Sequence, residues 1–389
     1  MFVVCRESNL KGWELFAICS GAFPPSKEFE PYLLHYCHKH RSDPMVGEYA
    51  KFTMGRLLMA QDLPPRKEIP TAIEVEAVKE MKPVVVRVYH LNGQYEMMPV
   101  TSWTTPEHLN KMMAARLGIK NPAAFALYEM TPEGEERYLE NDRILDLVAY
   151  WQRLFEEEKT KKQKKKEDKT AMYRLVYKVH MYFEPQGGDK AAEREMFTQA
   201  VFDVVSSRYP CERDDCVKLA AIQLQFEVGS EAGKANLSVD RLRRYLPRKF
   251  VSKKGSENAA IVNDVLAAHQ DGVKELEQLE AQRAYLKHVQ AWKIYGSSFF
   301  FVEPQVSHTN LPDEVFLAVN PKGVLIINPE TKEILAEHPY SEVPTWGHSG
   351  SSFVLHIGNL VRQTKIYFHT EQGKEINELV RAYVNHLCA

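Results

Sequence analysis

Long apolar runs are missing from this chain of 389 residues. No stretch approaches the roughly eighteen to twenty residues needed to cross a bilayer, and the N-terminus lacks the charged, apolar and small-residue succession of a signal peptide. The chain is therefore expected to be soluble and intracellular. Cysteine is sparse: Cys5, Cys19, Cys37, Cys211, Cys216 and Cys388 are scattered among apolar helical sequence, which excludes the disulfide framework of a small secreted domain and points to reduced thiols. Net charge is nearly absent as well. Lys+Arg 50 against Asp+Glu 52 leaves -2, so no global field draws the chain to nucleic acid or membrane, and any electrostatic function must be local.

Catalytic signatures are equally scarce. Gly229 to Lys234 superficially resembles an ATP-binding loop, but it has one spacer too few, lacks Ser or Thr after the lysine and follows a helix, so it reads as a turn. Gly347-His348-Ser349-Gly350 has its second glycine misplaced for a nucleophile elbow, with Ser351 in that position, and reads as a loop. His35, Cys37, His38 and His40 are the densest set of metal-ligand types. On a helix His35 and His38 share a face while Cys37 points elsewhere, so no tetrahedral set closes locally, and Cys211 and Cys216 face the same difficulty. No cofactor, metal or catalytic residue is expected.

What is present is a succession of differently patterned segments. At this length two to four structural units are expected. Trp13, Phe16 and Ala17 fall at helical spacing, and after Phe23-Pro24-Pro25-Ser26 the pattern resumes with Phe29, Tyr32, Leu33 and Tyr36, with Ser26 as the expected N-cap. Gly47 to Leu58 predicts another helix, and Pro64-Pro65 and Pro70 interrupt before an acidic stretch around Glu74 to Glu80. From Pro83 the period changes to two. Val84 to Tyr89, the Asn92-Gly93 turn and Tyr95 to Val100 predict a β-hairpin, followed by a helix opening at Thr104 or Thr105 and Pro106 and closing at Gly118. Further short segments, Phe125 to Met130 and Leu139 to Trp151, complete the pattern of a ubiquitin-like lobe.

Seven lysines between Lys159 and Lys169 leave almost no apolar residue and mark a solvated boundary. Helical patterns then occupy Ala191 to Tyr209, Asp214 to Val228, Val239 to Tyr245 and Ala260 to Trp292. From Lys293 onward short strands alternate with turns such as Asn320-Pro321-Lys322-Gly323, and a final amphipathic helix, Gln372 to Leu387, carries Ile376, Leu379, Val380 and Tyr383 on one stripe. A small β sandwich or barrel closed by one helix is expected there.

Two basic segments are candidate contact surfaces. Lys161, Lys162, Lys164, Lys165 and Lys166 belong to the lysine run, suited to filaments or anionic lipid at about 1 kcal/mol per well-placed cation near a membrane. Arg241, Arg243, Arg244, Arg248, Lys249, Lys253 and Lys254 flank Pro247, and a cluster with four arginines suits bidentate recognition of phosphate or carboxylate.

The order ubiquitin-like lobe, helix bundle, β sandwich with terminal helix resembles a FERM domain. Tyr209-Pro210-Cys211-Glu212-Arg213-Asp214-Asp215 with Leu219-Ala220-Ala221-Ile222-Gln223, then Tyr245-Leu246-Pro247-Arg248 and Tyr295-Gly296-Ser297-Ser298-Phe299-Phe300, carry the resemblance. Upstream, Gly12-Trp13-Glu14-Leu15, Phe23-Pro24-Pro25-Ser26, Leu63-Pro64-Pro65 and Glu74-Val75-Glu76-Ala77-Val78 resemble the C-terminal half of a myosin tail homology 4 (MyTH4) domain, so the chain is expected to begin partway through it. The resemblance implies an α+β multidomain chain: a partial helical bundle at 1–80, then a three-lobed FERM. The lobes are a ubiquitin-like one at 83–155, a helical, acyl-CoA-binding-protein-like one at 171–292 after a Lys-rich linker at 156–170, and a PH/PTB-like β sandwich with C-terminal helix at 293–389. It also implies a non-catalytic, cargo-binding and autoregulatory tail of an unconventional myosin (class seven, ten or fifteen type), any motor ATPase lying outside this chain. A plant-type calmodulin-binding kinesin tail and a motor-free FERM linker between membrane and cytoskeleton are the alternatives. Implied partners are cytoplasmic tails of membrane or adaptor proteins, microtubules or actin, anionic phospholipid and the motor head in cis, but not nucleic acid. The implied location is cytoplasmic and cytoskeleton-associated, at the cell cortex or protrusions. By position in the family, Phe353, Leu355, Ile357, Ile376 and Leu379 are the implied peptide groove. Trp346, in a Gly and Ser loop, is read either as an exposed anchor or as a cap on the sandwich.

Overall fold

The computed structural model describes residues 2–61, 63–161, 172–229, 231, 237–305, 311–358 and 363–388. The chain divides into two compact units, residues 1–118 with 126–178 and residues 119–125 with 179–389.

The first unit opens with α1 (Phe2–Ala22), α2 (Glu30–His40), α3 (Gly47–Ala60) and α4 (Ala72–Lys79). Their apolar positions meet in one cluster: Trp13 and Ala17 of α1, Cys37 of α2, Tyr49, Ala50 and Leu57 of α3, and Val78 of α4. Ser26 does not cap α2 directly. Its hydroxyl accepts from the Phe29 N–H at 3.3 Å, and the helix begins one residue later. Gly47 opens α3 because a Cβ there would stand 2.8 Å from the Arg41 carbonyl oxygen. Thr71 caps α4 by accepting from the Glu74 N–H, and the Tyr49 hydroxyl donates to the Lys79 carbonyl at 2.6 Å.

The same unit contains a five-stranded sheet in the order β2-β1-β5-β3-β4. Strands β1 (Val84–Tyr89) and β2 (Tyr95–Val100) form the expected hairpin, registered from Val84 opposite Val100 to Tyr89 opposite Tyr95. Thr105 caps α5 (Pro106–Leu117), which ends at left-handed Gly118. Strands β3 (Phe125–Met130) and β4 (Glu136–Tyr138) follow, and then α6 (Ile144–Lys161). The Leu139 to Trp151 segment is thus mainly helical. Its run of apolar residues fits either period, and packing decides for helix, with the Trp151 indole donating to Glu129 at 2.5 Å. Strand β5 (Arg174–Val179) enters parallel to β1, Val88 opposite Leu175. Residues 174–179, which the sequence grouped with the helical lobe, therefore pair in this sheet.

A buried ionic cluster ties the helices to this sheet's lobe. Arg66 Nε lies 2.6 Å from Asp146 of α6 and Arg66 Nη1 2.5 Å from Glu74 of α4. Ser102 donates to Glu74 at 2.7 Å and accepts from Arg56 Nη2 at 2.9 Å, while Arg56 Nε donates to the Ala17 carbonyl. Burial would depress the Arg66 pKa, but Glu74 and Asp146 more than offset it and raise it. Arg56, whose hydrogen-bond partners among the described residues are the Ala17 carbonyl and the Ser102 hydroxyl rather than a carboxylate, is lowered to about 10 by burial.

The second unit begins with α7 (Lys190–Val205), α8 (Arg213–Val228), the short α9 (Val239–Leu242), α10 (Ala259–Gly272) and α11 (Gln278–Gln290). The apolar pattern from 260 to 292 divides in two, because Gly272 ends the first helix and a Glu277–Glu280 capping box starts the next. Then come β6 (Ser298–Pro304), β7 (Val315–Asn320), β8 (Gly323–Ile327), β9 (Ile334–Pro339), β10 (Thr345–His348), β11 (Ser352–Gly358) and β12 (Gln363–His369), closed by α12 (Gly373–Cys388). The sheet order is β10-β11-β12-β6-β7-β8-β9. Its antiparallel strands and the stripe Ile376, Leu379, Val380 and Tyr383 enclose one core with Phe353, Leu355 and Phe368.

Candidate peptide-binding edge and basic surface

Strand β11 is interior, with β10 on one side and β12 on the other. Its alternating residues Phe353 and Leu355 are fully buried, as is Ile376, and Leu379 is nearly so, while Ile357 is partly exposed. Four of the five residues implied for the groove therefore form the core of the lobe. Period-two burial in the sequence marks a strand without saying whether its neighbours are taken, and here both sides of β11 are occupied.

Among the described residues, β10 stands beside α12 at the end of the sheet and pairs on one side only. The Ser349 N–H donates to the Ser352 carbonyl at 2.8 Å, which sets the hydrogen-bonded pairs at 349/352, 347/354 and 345/356. Alternation then directs the main-chain N–H and C=O of Trp346 and His348 away from β11, toward the free edge. Helix α12 packs against both β10 and β11. Gly373 permits that approach, since a Cβ there would lie 2.6 Å from the Ser352 carbonyl oxygen and 3.3 Å from His348 Cβ. The Trp346 side chain is partly buried against the lobe core, the cap reading of that residue rather than an exposed anchor.

The basic cluster lies between α8 and α10. Much of its charge is already engaged: Arg243 pairs with Asp240 at 3.4 Å, Arg244 with Glu227 at 3.8 Å and Lys254 with Glu257 at 3.4 Å. Arg241 hydrogen-bonds Tyr245, whose hydroxyl is pushed up to about 12 mainly by burial. Lys249 donates to the Cys211 carbonyl at 3.0 Å and lies over the Phe250 ring. Arg248 and Lys253 are exposed and make no ion pair among the described residues, so they are the cations freest to meet a ligand. Of the lysine run, Lys161 ends α6, and Lys162, Lys164, Lys165 and Lys166 lie outside the described residues.

The sparse metal-ligand sets do not converge. Cys37 turns into the helical core, its thiol pushed up to about 11 by burial, while His35 and His38 are exposed. Among the described residues no three His, Cys, Asp or Glu side chains are grouped to hold a metal ion. Cys211 and Cys216 form a buried thiol pair 2.8 Å apart. Beyond Gly229, which ends α8 with positive φ, the supposed phosphate loop lies almost wholly outside the described residues. No helix among the described residues is long and apolar enough to cross a membrane.

Family models match the chain from end to end. They are the MyTH4 domain at residues 4–77, the RA like domain at 82–181, the FERM central domain at 185–300 and the PTB domain (IRS-1 type) at 299–388. The chain carries MyTH4 and FERM domains in that order. Mouse unconventional myosin-VIIb is 24% identical over 388 residues, covering 98% of this chain and 18% of the mouse protein. The rice kinesin-like protein KIN-14I is 25% identical over 407 residues, covering 98% of this chain and 31% of the rice protein. The MyTH4-FERM chain thus spans less than a third of the length of either relative. The fold is that of solved myosin tails. The human Myosin 7b C-terminal MyTH4-FERM domain, solved in complex with the harmonin-a PDZ3 domain, aligns with TM-score 0.68 and 23% identity over 99% of this chain and 76% of that one. The Dictyostelium discoideum myosin VII MF1 domain aligns with TM-score 0.77 and 19% identity over 98% of this chain and 76% of that one.

Proposed function

We propose that this MyTH4-FERM chain is a non-catalytic, cargo-binding tail module of an unconventional myosin, in which the PTB-like lobe captures the cytoplasmic tail of a membrane or adaptor protein. The observation carrying this reading is the unpaired edge of β10 beside α12, where a partner segment gains main-chain hydrogen bonds at Trp346 and His348. Homology to myosin VII tails over 98% of the chain supports it. The human myosin 7b relative binds a PDZ domain through its own MyTH4-FERM tail, which favours protein partners over small molecules. The exposed pair Arg248 and Lys253 supplies a second contact for anionic lipid, microtubules or the motor head, and competition between cargo and head for the tail couples cargo binding to activation. The module acts at the cytoskeleton, at the cell cortex or in protrusions. Similarity to plant kinesins keeps a kinesin tail as the second reading.

The test is hydrogen exchange on the purified chain with and without candidate cytoplasmic-tail peptides. Slowed exchange at the Trp346 and His348 amides supports the reading, and tail peptides that bind without protecting β10 defeat it. In parallel, Arg248→Glu with Lys253→Glu should abolish salt-sensitive cosedimentation with anionic vesicles or microtubules. Unchanged cosedimentation removes the basic-surface part.

A further inference from the structure

Among the described residues, the ubiquitin-like lobe has a free edge of its own, at β2, remote in sequence from the β10 edge. The His90 N–H donates to the Gln94 carbonyl at 2.8 Å, which sets the alternation in this hairpin so that Val88/Glu96, Val86/Met98 and Val84/Val100 are the hydrogen-bonded pairs. The main-chain groups of Tyr95 and Met97 consequently point outward, and Pro99 adds a carbonyl with no N–H to leave unpaired. Two donors and three acceptors thus stand at the end of the sheet order β2-β1-β5-β3-β4.

The side chains above this edge are not those of a solvated face. The cross-strand pairs Val85/Pro99, Arg87/Met97 and Tyr89/Tyr95 share one surface, on which Val85, Tyr95 and Met97 are each about half exposed. The aromatic pair is bracketed by cations. The Arg87 guanidinium lies 5.2 Å from the Tyr95 ring centre, Tyr95 stands 5.4 Å from Tyr89, and the Arg174 guanidinium lies 5.1 Å from the Tyr89 ring centre. Both arginines are exposed, and neither makes an ion pair with a carboxylate among the described residues. Arg87 leans toward β2, so its charge sits above the open edge.

We propose that β2 is a second peptide-docking edge, which takes an extended, acidic segment of a partner protein as a sixth strand. Alternate side chains of that strand would lie on the surface of Tyr95 and Met97. An acidic one beside Tyr95 meets Arg87, and an apolar one beside Met97 and Pro99 covers exposed carbon. Arg174, farther from the edge, adds to the positive field that steers the segment in.

The test uses a short fluorescein-labelled peptide repeating Glu-Thr-Val-Thr, which sets glutamate and valine in turn along one face of the added strand, against the intact chain, with the lysine-for-glutamate counterpart as control. The expected result is salt-sensitive binding of the glutamate peptide only, slowed exchange at the Tyr95 and Met97 amides, and about tenfold weaker binding by Arg87→Glu with Arg174→Glu. Met97→Pro, which removes one of the two donors, should weaken binding without needing a charge change. Both variants alter exposed positions, and an unchanged thermal midpoint verifies their folding. Equal binding of the lysine peptide, affinity unchanged by the arginine variant, protection confined to the β10 amides, or no binding by the folded chain would each overturn the proposal. Protection at β10 alone would leave the cargo reading intact while removing this one.

Discussion

Arg66 and Glu74 meet at 2.5 Å with side chains only 1% and 4% exposed, a withdrawn ion pair at the joint between the helices and the ubiquitin-like lobe. Without Glu74, Arg66 keeps Asp146 but two buried guanidiniums, Arg66 and Arg56, share a single carboxylate where water cannot reach them, and breaking a buried pair costs about 3–5 kcal/mol. Glu74→Gln should therefore lower the stability of the first unit by about 3 kcal/mol in denaturant unfolding, because Ser102 and Arg56 also lose their arrangement around the carboxylate. The exposed pair of Lys11 and Glu7 is the control, and Glu7→Gln should leave the unfolding midpoint unmoved. Equal effects of the two substitutions would show that the joint is not held by the buried ions.

The closure of the PTB-like lobe depends on a missing side chain. Gly373 lets the start of α12 stand against the Ser352 carbonyl, and a Cβ at 2.6 Å cannot be absorbed by backbone on the other side. Gly373→Val should destabilise the second unit by about 1–3 kcal/mol and weaken any ligand seated on β10, since the helix forms one wall beside that edge. Calorimetry and peptide binding on the same sample would check both, and retained stability with retained binding would refute the account.

Much of the fold is legible in the residues themselves. The change from helical to period-two spacing at Pro83, the Asn92-Gly93 turn and the Thr105-Pro106 helix start are local signals, and the chain obeys them. What the residues alone could not carry is long-range. Strand β5 is separated from β1 by α5, α6 and the lysine run, so nothing local announces that Leu175 lies opposite Val88. The buried cluster of Arg56, Arg66, Glu74 and Asp146 has no local signal, because charged residues within a helix, in a loop and at helix starts look solvated unless their partners are known. The burial of the implied groove residues is long-range for the same reason. Phe353 and Leu355 display a strand's alternation, but only the sheet order reveals that β10, not β11, keeps an open edge.

Acid should weaken the helical lobe through His269. This nearly inaccessible residue of α10 sets Nε2 2.6 Å from the Gln225 Oε1, and the Gln225 amide nitrogen donates to the Lys274 and Leu276 carbonyls. Burial holds its pKa below the usual histidine value of 6.5. The unfolded chain therefore binds the proton first, and stability present above pH about 6.5 falls as pH drops toward the folded pKa. The thermal midpoint should decline between neutral and mildly acidic pH, and His269→Gln should flatten that decline. An unaltered slope in the variant would assign the acid sensitivity elsewhere.

Thiol labelling should rank the cysteines by exposure. Cys388 is exposed near the end of α12, whereas Cys37 is fully buried and its thiol is pushed up to about 11 by that burial. At mildly alkaline pH iodoacetamide should modify Cys388 within minutes and Cys37 only on unfolding, as read by mass spectrometry of peptides. Early labelling of Cys37 in folded chain would mean that the α1–α3 core opens readily.

The helical and PTB-like lobes meet at a tyrosine. The Tyr209 hydroxyl accepts from the buried Gly296 N–H at 2.9 Å, and its ring lies near Tyr295 and Trp292. Gly296 itself has φ 74, with the Tyr182 ring 2.8 Å from where a Cβ would stand, so no other residue can take this turn without moving Tyr182. Tyr209→Phe keeps the ring but removes the hydroxyl, and with it the acceptor for Gly296 and the hydrogen bond to the Tyr182 side chain, which leaves a buried N–H unsatisfied at a cost of about 1–3 kcal/mol. Faster exchange at the Gly296 amide should accompany that loss while β7 and β8 stay protected. If the amide remains slow and the midpoint does not fall, the joint is held by ring packing and the hydroxyl is incidental.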